Sequence, residues 1–312
     1  MTLQAGVIGY PLHHSISPQF QQPAFDHLGL DVRYAARETP PERLPSFLDE
    51  LRAGGWLGCN VTIPHKLAVF DGVDALTDEA REIGAVNTVI VEGGRLLGHN
   101  TDAEGFMRAL RAEAGFDVRG KEVVLLGAGG AALAVAVGLA RAGVKRLWIA
   151  NRTPARAEAL AQRLEGRTDA RALPPHPAAL VQALRDAQLL VNSTSVGMSS
   201  GPAPSDLPLP EALLGPHLLV YDLVYNPAVT PLLAAASRVG ARTLEGLPML
   251  VYQGAASFER WTGKPAPTTI MMEAARRALR EREGPSELAS EALRNTVRGS
   301  GGAQRPLAAR NE

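Results

Sequence analysis

The sequence predicts an α/β protein with two domains. Apolar, strand-like runs alternate with amphipathic helical patterns along most of the 312 residues, which is typical of a parallel or mixed sheet covered by helices. This length is sufficient for two domains of ordinary size. A glycine-rich turn near the middle of the chain follows an apolar strand and begins a helix. We therefore expect an N-terminal α/β domain, a doubly wound second domain, and a cleft between them.

The N-terminal domain is predicted from strand and helix signals taken in order. Residues 3–8 form an apolar strand, and Ser17 and Pro18 suit the N-cap and the first position of the helix that follows. The remaining elements are strands over 32–36, 57–61, 86–91 and 96–99, and a helix over 41–52.

The second domain is predicted over residues 102–245. Its helices span 102–114, 131–142, 154–164 and 231–239, and its strands span 123–126, 146–150, 188–191, 218–221 and 242–244, with a proline-rich surface stretch over 174–177. Two more helices, 247–261 and 268–283, are expected to return to the first domain, which then comprises residues 1–101 and 246–283. Beyond Gly284 the composition shifts to Gly, Ser, Arg and Ala, so 284–312 is expected to be a disordered tail.

The glycine-rich turn has the spacing of a dinucleotide-binding site. Gly127 permits a tight turn after the strand, Gly129 lets the backbone approach a pyrophosphate, and Ala132 is small enough for close helix–strand packing. The following helix offers unpaired N–H groups and the positive end of its dipole to an anion. This context favours a Rossmann-type nucleotide domain.

The end of the next strand indicates which dinucleotide binds. An NAD site places Asp or Glu there to accept hydrogen bonds from the ribose 2′-OH, whereas this chain has Asn151, Arg152 and Thr153, with Arg156 one helical turn further on. Two guanidinium groups can hold a 2′-phosphate, and no carboxylate is present to repel it. The sequence therefore predicts NADP; the alternative is a solvated arginine pair at a helix start.

Composition argues against several classes of function. The chain has 32 basic and 32 acidic residues, which gives no attraction to nucleic acid or to an anionic membrane. No apolar segment has the length of a membrane helix, and we expect no secretory signal. The one cysteine, Cys59, fits a reducing cytoplasm, and no Cys/His cluster has metal-ligand spacing. We expect a cytoplasmic protein without a metal.

Polar residues follow several strands of the first domain. Ser15 and Ser17 follow the first strand, residues 60–66 follow the strand over 57–61, and residues 87–88 and 98–102 lie at later strand ends. Because ligands of open α/β sheets bind outside the carboxyl ends of strands, these residues should line the cleft between the domains.

These clusters resemble the shikimate dehydrogenase family. The matching motifs are G-x-P-x-x-x-S-x-S-P from Gly9, N-V-T-I-P-x-K from Asn60, G-A-V-N-T from Gly84, G-x-N-T-D-x-x-G from Gly98, G-A-G-G-A from Gly127, N-R-T from Asn151, N-x-T-x-x-G-M from Asn192, D-x-x-Y-N-P from Asp222 and G-x-x-M-L-x-x-Q-G from Gly246. They occur in the family's order from about residue 7 to 267, nearly the whole predicted fold.

The resemblance implies NADP-linked, reversible oxidation of shikimate to 3-dehydroshikimate in aromatic amino-acid biosynthesis. In the family, the residues matching Lys66 and Asp102 flank the reacting hydroxyl. A hydroxyl that loses hydride from its carbon also needs an acceptor for its proton, and a lysine beside a carboxylate can accept it or hold the charge that develops on oxygen. The sequence leaves open which of these two roles, proton acceptor or stabiliser of the charge, Lys66 has.

The resemblance also implies the ligands of the substrate and the cofactor. Ser15, Ser17 and Tyr225 match residues that hold the shikimate carboxylate, and Thr62, Asn87, Asp102 and Gln253 match ligands of the ring hydroxyls. Asn60 and Thr101 are expected to support the loops. The cofactor ligands implied are Asp78, Gly127, Ala128, Gly129, Gly130, Ala131, Asn151, Arg152, Thr153, Arg156, Thr194, Leu223 and Gly246.

Three other interpretations remain open. The first is an NAD-linked quinate/shikimate dehydrogenase, the second is a binding or regulatory module that keeps the fold without the chemistry, and the third is a relative acting on another small hydroxy acid. Arg152 and Arg156, in place of an acidic residue, argue against the NAD-linked enzyme. The presence of both Lys66 and Asp102 argues against a non-catalytic module. We expect a small-molecule substrate and a monomer or homodimer.

Overall fold

Two six-stranded sheets, both flanked by helices, form the protein. The computed structural model describes residues 2–13, 15–174 and 177–283. The first sheet lies within residues 3–99 and the second within residues 122–244, so the chain completes one sheet before it begins the other. The α/β class predicted from the sequence is confirmed. The tail over 284–312 and part of the proline-rich stretch over 174–177 lie outside the described residues.

The N-terminal sheet is mixed. Its strands are Leu3–Gly9 (β1), Val32–Glu38 (β2), Trp56–Val61 (β3), Ala75–Leu76 (β4), Thr88–Glu92 (β5) and Arg95–His99 (β6). The strand order is β2-β1-β3-β5-β6-β4, and β5 runs antiparallel to both β3 and β6. β1 and β3 run in parallel, so their carboxyl ends, which carry Ser15 and Lys66 on the connections that follow, meet at one edge of the sheet.

Four helices belong to this part of the chain: Ser17–His27 (α1), Leu44–Ala53 (α2), Lys66–Gly72 (α3) and Asp78–Ile83 (α4). The N-cap role predicted for Ser17 is wrong, because Ile16 occupies the N-cap of α1 without a side-chain cap and Ser17 is the first helical residue. The Ser15 hydroxyl instead accepts the Ser17 N–H at 3.3 Å, a local serine turn that occupies this donor at the start of the helix.

The C-terminal sheet is entirely parallel and doubly wound. Its strands are Glu122–Leu126 (β7), Arg146–Ala150 (β8), Asp169–Ala172 (β9), Leu189–Asn192 (β10), Leu219–Asp222 (β11) and Arg242–Leu244 (β12). The order β12-β11-β10-β7-β8-β9 places the first strand at the centre, with crossovers to both sides. All five residues of β7 are buried, as expected of a parallel strand covered on both faces.

The remaining α-helices follow the N-terminal sheet in the chain: Asp102–Ala114 (α5), Gly130–Arg141 (α6), Pro154–Arg163 (α7), Pro177–Asp186 (α8), Pro231–Arg238 (α9), Leu247–Thr262 (α10) and Thr268–Glu283 (α11). α10 and α11 pack on the N-terminal sheet, where Phe258 lies 4.7 Å from Phe25 of α1 between ring centroids. α5 approaches α10 closely, because Gly105 has no side chain and a Cβ there would lie 2.6 Å from the Gln253 backbone nitrogen.

An ionic contact at the carboxyl end of α4 also joins the two sheets; we call this the α4 clamp. Arg141 of α6 donates to the Glu82 carboxylate at 2.7 Å through Nε, and Arg167 also pairs with Glu82. Arg163 donates to the Glu82 carbonyl at 3.0 Å. A Cβ on Gly84 would lie 2.4 Å from the Arg163 guanidinium, so the glycine at this position makes room for the arginine.

Candidate active site

A charged pair lies where the two sheets meet. The Lys66 Nζ donates to the Asp102 Oδ2 at 2.5 Å, and the side chains are 22% and 9% exposed. Lys66 is the first residue of α3 and Asp102 the first residue of α5, so the pair joins two helix starts. A carboxylate this buried needs partners, since an unpaired buried charge is costly.

Asn87 holds the other oxygen of that carboxylate. Its Nδ2 donates to Asp102 Oδ1 at 2.7 Å and also lies 3.0 Å from Thr101 Oγ1 and 3.2 Å from Gln253 Oε1. Its Oδ1 accepts the Thr101 backbone N–H at 2.7 Å. Four residues predicted as ligands, Lys66, Asn87, Asp102 and Gln253, are therefore brought together, and Asn87 fixes the orientation of Asp102.

A second layer of polar side chains lies beneath these residues. The Asn60 Nδ2 donates to Ser257 Oγ at 2.8 Å and to Thr88 Oγ1 at 3.3 Å, and Asn60 Oδ1 accepts from the Tyr34 hydroxyl at 2.8 Å. Thr88 in turn donates to Asn87 Oδ1 at 2.9 Å. The Asn60 amide is thus fully engaged inside the protein, in keeping with the supporting role expected from the sequence.

The loop after β1 approaches the end of α11 and the loop after β11. Arg282 donates to the Ser15 carbonyl at 2.9 Å. Burial raises the pKa of Tyr225, and the positive charge of Arg282 opposes that rise. Hydroxyl groups beside a cation suit a carboxylate ligand. Thr62 lies next to this loop, since a Cβ on Gly9 would be 2.5 Å from its methyl group.

The glycine turn between β7 and α6 has room for phosphate groups. Gly127 has a φ of +107°, and a Cβ on it would lie 2.5 Å from Ser193 Oγ, so the turn requires glycine. At Gly129 and Gly130 an added Cβ would meet nothing within 4 Å, and the N-cap of α6 carries no side-chain hydrogen bond. An open helix N-terminus with exposed glycines fits the pyrophosphate of a dinucleotide.

The adenosine end of such a ligand would meet the start of α7. Arg152 and Arg156 are both exposed there, and Asn151 Nδ2 donates to the Thr153 carbonyl at 2.9 Å. Guanidinium groups at a helix N-terminus suit a phosphate. The side chains present therefore fit NADP. Ala128 and Ala131 are half-buried beside the glycine turn.

A buried aspartate organises the carboxyl ends of β10 and β11. Asp222 Oδ1 accepts from Asn192 Nδ2 at 2.9 Å, and Asp222 Oδ2 accepts from Thr230 Oγ1 at 2.6 Å. Burial raises the pKa of Asp222 against these hydrogen bonds. Asn192 also accepts from the Thr194 hydroxyl at 2.7 Å. This network fixes the loop of Thr194, a predicted cofactor ligand, against the loop that leads to Tyr225.

Of the other predicted cofactor residues, Leu223 and Gly246 are in contact with each other, and Asp78 lies on α4. A Cβ on Gly246 would lie 2.3 Å from the Leu223 carbonyl oxygen, so these two positions pack together. Asp78 is exposed at the first turn of α4.

His65 precedes α3 in a turn and is buried. Its Nε2 lies 2.7 Å from the Thr39 carbonyl oxygen, and this contact anchors the start of α3.

Sequence reasoning missed Tyr34 and Ser257, which belong to the polar layer. Ser257 lies one helical turn after Gln253, and its hydroxyl donates to the Gln253 carbonyl at 3.1 Å; a polar residue at i+4 from a ligand was the available signal. Tyr34 gave no such signal, because a tyrosine in an apolar strand is typical of core packing.

Among the described residues, no group of three His, Cys, Asp or Glu side chains could hold a metal ion. Within the same residues, no helix is long and apolar enough to cross a membrane.

Three family models match the chain. Residues 7–89 match the shikimate dehydrogenase substrate binding domain, residues 110–198 match shikimate / quinate 5-dehydrogenase, and residues 246–276 match the shikimate 5'-dehydrogenase C-terminal domain. The three matches together cover most of the N-terminal sheet, four of the six strands of the C-terminal sheet, and α10 with the first part of α11.

Individual relatives cover most of the chain. A shikimate dehydrogenase (NADP(+)) from Methanopyrus kandleri is 48% identical over 88% of this chain and 95% of its own length. A Thermus thermophilus shikimate 5-dehydrogenase, solved in complex with NADP(H) and shikimate, is 44% identical with a TM-score of 0.80, covering 89% of this chain and all of that one. A Corynebacterium glutamicum quinate dehydrogenase in complex with NAD is 31% identical, with a TM-score of 0.81, over 88% of this chain and 98% of that one.

Proposed function

Because the chain belongs to the shikimate dehydrogenase family, we propose that its cleft oxidises shikimate reversibly to 3-dehydroshikimate with Lys66 and Asp102 handling the proton. The protein is an oxidoreductase that acts on a CH–OH group and uses NADP. The observation that supports the residue assignment is the 2.5 Å contact between Lys66 Nζ and Asp102 Oδ2 at the junction of the two sheets.

The pair can accept the hydroxyl proton. When bound, NADP would supply the acceptor for the hydride that leaves the carbon carrying this hydroxyl. As the C–O bond becomes a carbonyl, the hydroxyl proton passes to the Lys66–Asp102 pair, and in the reverse direction the pair returns it. The 2.5 Å contact holds the amine and the carboxylate side by side. Asn87 donates to the other carboxylate oxygen at 2.7 Å and so keeps Oδ2 directed at Lys66.

Hydrogen-bonding groups around the pair support a polyhydroxylated ring as the substrate. We propose that Thr62, Asn87 and Gln253 bind its hydroxyls, and that Ser15, Ser17 and Tyr225 bind its carboxylate. Gln253 Nε2 donates to the Leu250 carbonyl at 2.8 Å, which fixes the amide at the site. Sites built from such groups reject analogues that leave them unpaired.

For the cofactor, we propose that the glycine turn of residues 127–131 holds the pyrophosphate and that residues 151–153 with Arg156 hold the 2′-phosphate. Asp78, Thr194, Leu223 and Gly246 are proposed to line the nicotinamide half. We also propose that residues 1–101 and 246–283 form the substrate domain and residues 102–245 the NADP domain. A cytoplasmic location stays part of this proposal, in keeping with the single cysteine of the chain, and so does a monomeric or homodimeric state.

The test is the reduction of nicotinamide cofactor, followed by absorbance, with shikimate and quinate each paired with NADP and NAD. We expect strong activity only with shikimate and NADP. Comparable rates with quinate or NAD would move the protein to the NAD-linked group represented by the Corynebacterium enzyme. Absence of activity in all four pairings would contradict the proposed reaction and favour another hydroxy acid or a non-catalytic role.

A further inference from the structure

The buried face of α11 ends in an arginine. Met271, Ala275 and Ala278 are buried where this helix packs on the N-terminal part of the chain, with α1 as a direct neighbour. Arg282 follows Ala278 by four residues and lies, exposed, in the last turn of α11. Because residues four apart lie on the same face of a helix, Arg282 continues the buried face at the point where it reaches the surface.

Arg282 contacts the turn that carries two of the proposed carboxylate ligands. Its Nη2 donates to the Ser15 carbonyl at 2.9 Å. The Ser15 hydroxyl donates to Ser17 Oγ at 3.3 Å and accepts from the Ser17 N–H at 3.3 Å, so both hydroxyls belong to one turn. Tyr225, the third proposed ligand, packs against the apolar cluster that contains Ile16, the residue between the two serines. A positive charge is thereby fixed beside these hydroxyls.

The two serine hydroxyls alone are a poor counterpart for a carboxylate. Ser15 is half-buried and Ser17 is buried, so an anion bound to them loses part of its water. Hydroxyls replace the lost hydrogen bonds but bring no opposite charge, and a desolvated anion without one is costly. A guanidinium stays protonated at any working pH and suits a carboxylate in both charge and shape.

The other cation of the site has its charge matched already. Lys66 Nζ lies 2.5 Å from Asp102 Oδ2, so the amine faces a carboxylate of the protein itself. We propose that Arg282 is a further substrate-binding residue, whose positive charge selects a substrate carboxylate at the Ser15–Ser17 turn. This inference rests on the proposed function, because it takes Ser15 and Ser17 as ligands of that carboxylate.

The first test removes the charge and keeps a donor. Arg282→Gln retains an N–H group for the Ser15 carbonyl, and we expect the KM for shikimate to rise about tenfold, the usual contribution of one hydrogen bond to a charged group. The kcat should stay within about twofold, because the carboxylate is held equally in the ground state and the transition state. Steady-state kinetics at low ionic strength, where exposed charges are least screened, measure both quantities.

Arg280→Gln is the matched control. Arg280 is exposed in the same last turn of α11, so this variant removes the same charge from the same helix end. Residues two apart do not share a helix face, and the KM for shikimate should therefore stay within about twofold. An equal rise of KM in the two variants would overturn the proposal, because the effect would then belong to the charge of the helix end.

Arg282→Lys distinguishes charge from support of the turn. Lysine keeps the positive charge but lacks the planar fork of the guanidinium. We expect it to recover most of the shikimate affinity that Arg282→Gln loses, as measured by calorimetry, with melting temperatures showing that both variants are folded. A lysine variant as impaired as the glutamine variant would refute a role for the charge.

The methyl ester of shikimate tests the same contact from the side of the ligand. It has the same ring without the negative charge, so the wild-type protein should bind it at least about tenfold more weakly than shikimate. In Arg282→Gln this preference for the acid should shrink about tenfold. A preference that stays at its wild-type value would contradict the proposal, since the charge of Arg282 would then not be what recognises the acid.

Binding measurements keep this inference distinguishable from the proposed reaction. If the wild-type protein binds shikimate but does not oxidise it, the reaction is wrong, and the preference for the acid over the ester still decides the role of Arg282. If the protein oxidises shikimate and Arg282→Gln changes neither KM nor preference, only the inference is wrong. If the wild-type protein does not bind shikimate, both are wrong.

Discussion

At the scale of single residues, Lys66 and Asp102 differ in how many partners they have. Asp102 keeps Asn87 as a second partner, whereas Lys66 has the carboxylate as its charged neighbour at 2.5 Å. Deleting the amine therefore leaves the carboxylate oriented by Asn87 but removes the group proposed to handle the proton with it. Substitution of Lys66 therefore tests proton transfer separately from substrate binding.

Lys66→Ala should lower turnover by about 100-fold or more, the usual contribution of a positioned acid–base group, with shikimate affinity little changed. Steady-state kinetics and calorimetry measure the two quantities. Lys264→Ala, which removes an exposed lysine beyond the end of α10, is the control and should leave both unchanged. Near-normal turnover in Lys66→Ala would remove this residue from the mechanism.

His99, three residues before Asp102, makes stability depend on pH. Burial, with the Arg260 charge second, lowers its pKa from 6.5 to about 4. Its Nδ1 lies 3.9 Å from Glu79 Oε2, and burial raises the pKa of Glu79. Between pH 6.5 and 4 the unfolded chain binds a proton at His99 that the native chain does not, so the free energy of unfolding falls as the pH falls through this window.

His99→Asn removes this titration. A shift of 2.5 pKa units at about 1.4 kcal/mol each corresponds to about 3.5 kcal/mol. Because native His99 is itself about half protonated at pH 4, the wild-type protein should lose roughly 3 kcal/mol more stability than the variant between pH 7 and pH 4. Urea unfolding at several pH values measures the difference. Parallel pH profiles for the two proteins would show that His99 titrates normally in the native state.

At the residue scale, the sequence predicted the groups that face the cleft better than those beneath it. Lys66, Asn87, Asp102 and Gln253 were predicted and are brought together. The support from Tyr34 depends on a contact between β2 and β3, which are distant in sequence, so no local pattern reports it. Ser257 had only the weak signal of a polar residue four positions after Gln253.

At the scale of elements, a buried threonine joins a helix start to a strand end. Thr230 Oγ1 accepts the Leu233 N–H at 3.2 Å as the N-cap of α9, and it donates to Asp222 at 2.6 Å. Thr77 caps α4 in the same way, accepting from Ala80 at 3.3 Å. Only Thr230 has the second, charged partner, so the two caps differ by one bond.

Thr230→Val should destabilise the protein by about 1 kcal/mol for the lost cap and roughly 1–3 kcal/mol more because Asp222 loses a buried donor. Thr77→Val should lower the free energy of unfolding only by the contribution of the cap. The difference, from chemical denaturation, measures the bond to Asp222. Equal losses in the two variants would mean that this bond contributes nothing to stability.

Long elements with a clear apolar period were predicted within a few residues, as for α5 and β8. The short or polar elements α3, α4, α8, β4 and β9 were not predicted. α4 has six residues and β4 two, too few for a periodic pattern to be recognised; these elements are set by tertiary contacts instead.

At the scale of the whole molecule, the α4 clamp constrains the angle between the two sheets. Glu82 belongs to the N-terminal part, and its partners Arg141 and Arg167 belong to the C-terminal part. The Glu82 side chain is only 12% exposed, so its charge is poorly screened by salt. Lys66 and the glycine turn lie on different sides of the cleft, and the angle sets the distance between them.

Glu82→Gln weakens the α4 clamp while keeping the size of the side chain. We expect the radius of gyration from small-angle scattering to rise and kcat/KM to fall by roughly three- to tenfold, because binding groups on two domains lose their alignment. Glu211→Gln is the control: Glu211 pairs with Arg238 at 2.7 Å inside the C-terminal part alone. An unchanged radius and unchanged kinetics in Glu82→Gln would show that other contacts fix the angle.

Cys59, the one thiol of the chain, gives the native protein a built-in reporter. It is buried in β3, between β1 and β5, and burial raises its pKa, so an alkylating reagent reaches it only when the N-terminal sheet opens. Its neighbour in sequence is Asn60. The labelling rate therefore records how often the N-terminal sheet opens beneath the proposed substrate site, without any added probe, and ligands of that site should slow it.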